Sequence, residues 1–130
     1  NSHLLVMFDL DGFKLYNDTF GHPTGDALLT RLGTRLRRFG GAHGRAYRLG
    51  GDEFCLLAEC SPAEVDPIVA GALAALSETG EGFHISASQG SVLLPSEAGT
   101  VKDAMQIVQL RRQPFMLPGP IGFILWIDVP

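Results

Sequence analysis

Cysteine is almost missing from this chain of 130 residues, with Cys55 and Cys60 the only two. Their spacing is neither metal-like nor redox-like. That excludes a disulfide-stapled scaffold and points to two thiols in a reducing cytoplasm. A basic excess is missing as well. Ten Lys and Arg stand against 14 Asp and Glu, a formal net charge of −4. Such a chain has no field for gripping a nucleic-acid backbone, and no nucleic-acid partner is expected. Long hydrophobic runs are absent too: the longest late one, Ile121 to Ile127, is far too short to span a bilayer, and no signal peptide is visible. No Gly-x-x-x-x-Gly-Lys occurs, so any nucleotide must be held by something other than a P-loop.

What is present suits one compact soluble domain, with 45% hydrophobic and 18% charged residues. Leu4 to Phe8 is continuously apolar and ends at Asp9, the pattern of a buried central strand. A short helix is expected next, with Phe13, Tyr16 and Phe20 at helical spacing. A loop over Gly21 to Gly25 follows, then a longer helix from Asp26 with Leu28, Leu29, Leu32, Leu36 and Phe39 on one stripe. Gly40-Gly41 stops it. Arg45 to Leu49 and Glu53 to Ala58 read as two strands of a hairpin, with Gly50-Gly51 as the turn. Ser61-Pro62-Ala63-Glu64 has the form of a capping box, ahead of a helix that buries Val65, Ile68, Val69, Ala72, Leu73 and Leu76. Phe83 to Leu94 predicts a strand interrupted at Gly90, and Val101 to about Arg111 a further amphipathic helix. The order predicts an α+β sandwich: a central, mostly antiparallel sheet flanked by helices.

Residues 113–130 change character. Four of the eight prolines fall here, at 114, 118, 120 and 130. Pro114 should end the preceding helix. Beyond it, 121–129 reads either as an extra strand or as a poorly ordered apolar tail. The expected division is a domain over 1–112 and an atypical tail over 113–130.

The chemistry gathers in the first half. Asp9 ends the first strand and Asp52 sits at the hairpin tip. If those strands are neighbours in the sheet, the two carboxylates lie side by side, the usual way to hold Mg²⁺ beside a phosphate. The main-chain oxygen of Leu10 offers a third hard ligand. Taken singly, Asp9, Asp11 and Asp52 read first as ordinary solvated turn residues, because acids are common in turns. A calcium loop fails on spacing, since Phe13 and Lys14 stand where an oxygen ligand and a glycine are needed. Gly50 and Gly51 serve a turn and also let a phosphate approach the backbone. Asn17 and Asp26 flank the loop between the two helices. They read either as helix caps or as a pocket in which a carboxylate accepts the N1 and N2 donors of guanine, which adenine lacks as a pair.

Four ordered blocks then resemble one family. Asp9-Leu10-Asp11-Gly12-Phe13-Lys14, Asn17-Asp18-Thr19-Phe20-Gly21-His22, Gly25-Asp26 and Arg48-Leu49-Gly50-Gly51-Asp52-Glu53-Phe54 look like the GGDEF family of diguanylate cyclases, over Leu4 to about Val108. The resemblance implies a ferredoxin-like, palm-like nucleotide cyclase fold and the condensation of two GTP into cyclic di-GMP with release of pyrophosphate. It implies Mg²⁺, or Mn²⁺ in its place, on Asp9, the Leu10 carbonyl and Asp52. Guanine is read by Asn17 and Asp26, and Lys14, His22, Gly50 and Gly51 line the substrate site. Asp52 also helps to deprotonate the attacking 3′-hydroxyl, and Glu53 is an acidic neighbour. A homodimer is implied, because each subunit carries one GTP. So are an upstream sensory domain and a cytoplasmic location, as a free protein or as part of a membrane-attached one. The competing function is a catalytically impaired domain that serves as a GTP-binding or protein-interaction module.

Three departures accompany the resemblance. The family's last long helix carries a Lys and, four residues on, an Arg for the triphosphate; the aligned positions hold Met116 and Pro120. The family's inhibitory Arg-x-x-Asp is replaced by Gly41-Ala42-His43-Gly44, so product inhibition through that site is not expected. The chain also begins at the first strand, without the helix that usually precedes it.

Overall fold

The computed structural model describes residues 2–94, 112–116 and 124–128. β1 (Ser2–Asp11) is followed by α1 (Phe13–Phe20) and α2 (His22–Gly40). The hairpin β2 (Gly44–Gly50) and β3 (Glu53–Cys60), a 3₁₀ turn at Pro62–Glu64 and α3 (Val65–Ala75) come next. β4 (Glu78–Gly80) and β5 (Phe83–Leu94) complete the main body, and β6 (Arg112–Met116) and β7 (Ile124–Asp128) form a separate pair. The five-stranded sheet runs β2-β3-β1-β5-β4, and its pairs are all antiparallel.

β1 is continuously apolar from Leu4 to Phe8, where it lies between two strands and is buried on both faces. Leu4, Val6, Phe8 and Leu10 point into the main core, where Phe13 and Tyr16 of α1, Leu28, Leu32 and Leu36 of α2, Ile68 and Ala72 of α3, and Leu76 just after it meet them. Leu5 and Met7 alternate to the opposite face and are as deeply buried, as is Cys55. Burial pushes the Cys55 thiol up to about 12, which leaves it protonated and inert.

Four boundaries depart from the sequence expectation. α2 starts at His22, so the expected loop is its first turn; Pro23 fits there because its missing N–H has no helical partner in any case. The hairpin turn is Gly51-Asp52, because Gly50 still pairs with Glu53. β5 runs straight through Gly90, which faces Met7 across the sheet. β4 is too short to leave a periodic signal. The expected helix over 101–111 lies outside the described residues. In the tail, 124–128 forms a strand within the expected 121–129, and Pro114 stands in β6 opposite Trp126.

The capping box is formed: the Ser61 N–H donates to Glu64 Oε1 at 2.9 Å. At the far edge, Glu78 of β4 accepts two hydrogen bonds from Arg31 and one from Arg35, fastening α2 over the sheet edge. The hydrogen bonds from Arg31 hold the Glu78 carboxyl below its ordinary range. Its contribution is therefore complete above the unfolded value of about 4.3 and is lost as pH falls through the lower folded value. Both arginines are half exposed, so screening limits the network to about 1 kcal/mol. Glu78→Gln is expected to lower the unfolding temperature by a few degrees at pH 7. Thermal scans at pH 7 and pH 3 check this, and the gap between variant and wild type should shrink at the lower pH.

Candidate active site at the hairpin tip

Antiparallel pairing sets Asp9 of β1 directly opposite Glu53 of β3. Asp52 occupies the turn just before Glu53. The Leu10 N–H donates to the Asp52 carbonyl at 3.1 Å, which ties that turn to β1. The result is a cluster in which one carboxylate oxygen each from Asp9, Asp52 and Glu53 lies within 4.8 Å of the others, all three side chains half-buried. The Leu10 side chain is buried in the core, so this residue can offer the site only its main chain. Asp11 turns elsewhere: its Oδ2 accepts a hydrogen bond from Ser88 Oγ at 2.8 Å, across to β5.

The turn depends on glycine. Gly50 has φ 128 and Gly51 φ 53, values that side chains with a Cβ rarely adopt. The β2–β3 register shifts between Arg48 and Gly50, so Leu49 is an extra residue on its strand. The space where a Gly51 Cβ would stand is open, leaving the backbone accessible to a ligand.

A second group of residues lies where α1 ends and α2 begins. Asn17 packs against Gly25 so closely that a Cβ there would overlap Asn17 Oδ1. That oxygen is buried and lacks a hydrogen-bond partner. Asp26, next along α2, is exposed. His22 is exposed at the first position of α2. Lys14 projects into solvent from α1, where its Nζ lies 3.8 Å from Asp18 Oδ2, one helical turn on. Between α2 and β2 a cavity of about 260 Å³ is lined by residues including Leu29, Thr30, Thr34, Tyr47 and Arg48.

The structure thus joins Asp9 with Asp52 and seats Asn17 on the residue before Asp26. It places Lys14 and His22 on exposed helical surface. Sequence reasoning left Glu53 as a neighbour of the site and missed its place in the cluster. That membership follows from the β1–β3 register, which no local pattern specifies. Nor did it anticipate the bulge at Leu49.

The comparisons agree with one another. The family model described as diguanylate cyclase, GGDEF domain, matches residues 1–111. An uncharacterised protein in the hutH 5′ region of Streptomyces griseus is 40% identical, over 90% of this chain and 52% of its own length. Diguanylate cyclase DgcN of Escherichia coli is 53% identical over 41% of this chain and 13% of its own length. The chain therefore spans about half of the first of these relatives and a small part of the second. Among solved structures, a sensory box/GGDEF family protein from Caulobacter crescentus has 34% identity and a TM-score of 0.61, over 81% of this chain and 72% of its own. Diguanylate cyclase SiaD from Pseudomonas aeruginosa, solved with its activator SiaC, has 26% identity and a TM-score of 0.64, over 79% of this chain and 42% of its own. A family match that begins at the first strand and runs to residue 111, on a backbone shared with solved GGDEF domains, makes this chain a member of the diguanylate cyclase GGDEF domain family.

Proposed function

We propose that this domain condenses two GTP molecules into cyclic di-GMP, each of two facing copies contributing one nucleotide. The observation that carries the reading is the meeting of Asp9, Asp52 and Glu53 at the hairpin tip. Three carboxylates so close repel one another and suit a hard divalent cation. Three carboxylate oxygens within 4.8 Å of one another form the hard, all-oxygen donor set that such an ion would take. The residues fit Mg²⁺, and Mn²⁺ equally; Asp9, Asp52 and the Leu10 main chain would hold it, with Glu53 beside them. Bound there, the ion would offset phosphate charge and polarise the α-phosphate.

The remaining roles belong to the chain. Asp52 accepts the proton of the 3′-hydroxyl presented by the facing copy. That oxygen forms its bond to the α-phosphorus as the bond to pyrophosphate breaks, and the second copy repeats the step to close the ring. Asp26 accepts the N1–H and N2–H of guanine. The unpartnered Asn17 Oδ1 beside Gly25 supports the same pocket, since a buried acceptor gains most from a ligand N–H. Gly50 and Gly51 give the phosphates access to the backbone, and Lys14 and His22 line the approach. The greater length of the relatives, together with a solved neighbour described as a sensory box/GGDEF family protein, supports an upstream sensory domain in the whole protein. Among the described residues no helix is long and apolar enough to cross a membrane.

A reading with low turnover has one observation in its favour. Met116, aligned with the family's triphosphate-binding Lys, stands in strand β6 and not in a helix. We read 113–130 as an appended tail that lacks this Lys and its companion Arg. Hydrogen bonds to charged groups contribute roughly 1.5–3 kcal/mol each, so losing both weakens GTP binding by about two to four orders of magnitude.

Incubation with Mg²⁺ and GTP, followed by chromatography for cyclic di-GMP, tests the activity. Asp9→Asn should abolish product while leaving the unfolding temperature near the wild-type value; full product from Asp9→Asn refutes the cluster as the metal site. Asp26→Ala should cost about 1–3 kcal/mol in GTP affinity and erase the preference over ATP. Calorimetry with both nucleotides measures this, and an unchanged preference refutes the guanine pocket. Replacing 113–130 with a helix that carries Lys and Arg at the aligned positions should raise turnover at least tenfold. Equal rates for the two chains would show that the tail costs nothing.

A further inference from the structure

One residue of the signature turn is held from both sides. Arg48 stands on β2 immediately before the bulge at Leu49. Its guanidinium donates two hydrogen bonds to a single oxygen, the Gly51 carbonyl, from Nε at 3.2 Å and Nη2 at 3.0 Å. That carbonyl belongs to the same planar peptide unit as the Asp52 N–H. The next carbonyl, that of Asp52 itself, accepts from the Leu10 N–H at 3.1 Å. Both peptide planes flanking Asp52 are therefore tethered, one to β2 through a side chain and the other to β1 through the main chain.

The two glycines give the turn little stiffness of its own. Gly50 and Gly51 at φ 128 and 53 lack the Cβ that restricts other residues, so the plane between Gly51 and Asp52 can swing at small cost. The direction of the Asp52 carboxylate follows that plane. Arg48 is exposed and lines the cavity between α2 and β2, outside the buried core.

We propose that Arg48 is a positioning residue for Asp52: its two-pronged grip on the Gly51 carbonyl aims the Asp52 carboxylate at Asp9. The proposal rests on the metal-binding reading of the Asp9–Asp52–Glu53 cluster. A pure charge effect has the opposite sign. Removing a cation from the neighbourhood of three carboxylates strengthens divalent binding, whereas loss of aim weakens it.

Mn²⁺ titration of the full chain, with free ion read by electron paramagnetic resonance, separates the two. Arg48→Gln is expected to bind Mn²⁺ about tenfold more weakly than wild type, a typical cost of losing a support behind a metal ligand. Its unfolding temperature should stay within about 2 °C, as for an exposed substitution. Arg48→Lys should bind as weakly as Arg48→Gln, because an ammonium keeps the charge but lacks the planar fork. Asp9→Asn serves as the site control. Equal or tighter Mn²⁺ binding by Arg48→Gln overturns the proposal. So does wild-type binding by Arg48→Lys, or a loss of affinity that tracks a fall in unfolding temperature. Mn²⁺ binding unmoved by Asp9→Asn overturns the metal reading itself, and the proposal with it.

Discussion

The register between β1 and β3 is the constraint on which the candidate site depends. Side chains alternate across a sheet, so a slip of one residue would exchange Asp9 with Leu10 and turn a carboxylate into the core. That slip is prevented by the apolar residues behind the site. Leu4, Val6, Phe8 and Leu10 face the helices, while Leu5 and Met7 fill the other side. Burying a side chain of this size contributes about 1.5–3 kcal/mol, and every one of them would be misplaced by the slip. The core thus specifies where the acids stand.

Backbone that no side chain could replace completes the arrangement. The bulge at Leu49 and the two positive-φ glycines carry the chain round within two residues, so that Asp52 and Glu53 follow each other directly into β3. Where α1 meets α2, Gly25 lets the two helices approach until Asn17 rests on the helix backbone. Glycine serves a different need in each place: positive φ at the hairpin, and the close approach of an amide at the helix pair.

The polar interactions divide by purpose. Glu78 with Arg31 and Arg35 fastens the outer face of α2 to the short strand at the sheet edge, an opposite-charge network that stabilises the fold. The cluster at the hairpin tip is of one sign and does the reverse, holding carboxylates where they disfavour one another.

Much of the domain was legible in order along the chain. The continuous run before Asp9 marked a central strand, the leucine stripe marked α2, and Ser61 with Glu64 marked the cap ahead of α3. The four motif blocks pointed to the family, because glycines and acids at that spacing carry chemistry that a turn alone does not need. The start of α2 was misplaced since Gly and Pro favour loops locally, while helix packing around Gly25 overrides that preference. β4 was missed because three residues show no period. Local sequence thus determined the strands, the helices and the residue types available for chemistry. Only the tertiary structure decided that Glu53 joins Asp9 and Asp52, that Arg48 grips the Gly51 carbonyl and that Asn17 rests on Gly25. Each depends on a register, a bulge or a helix rotation, and those are set by packing between segments distant in the chain.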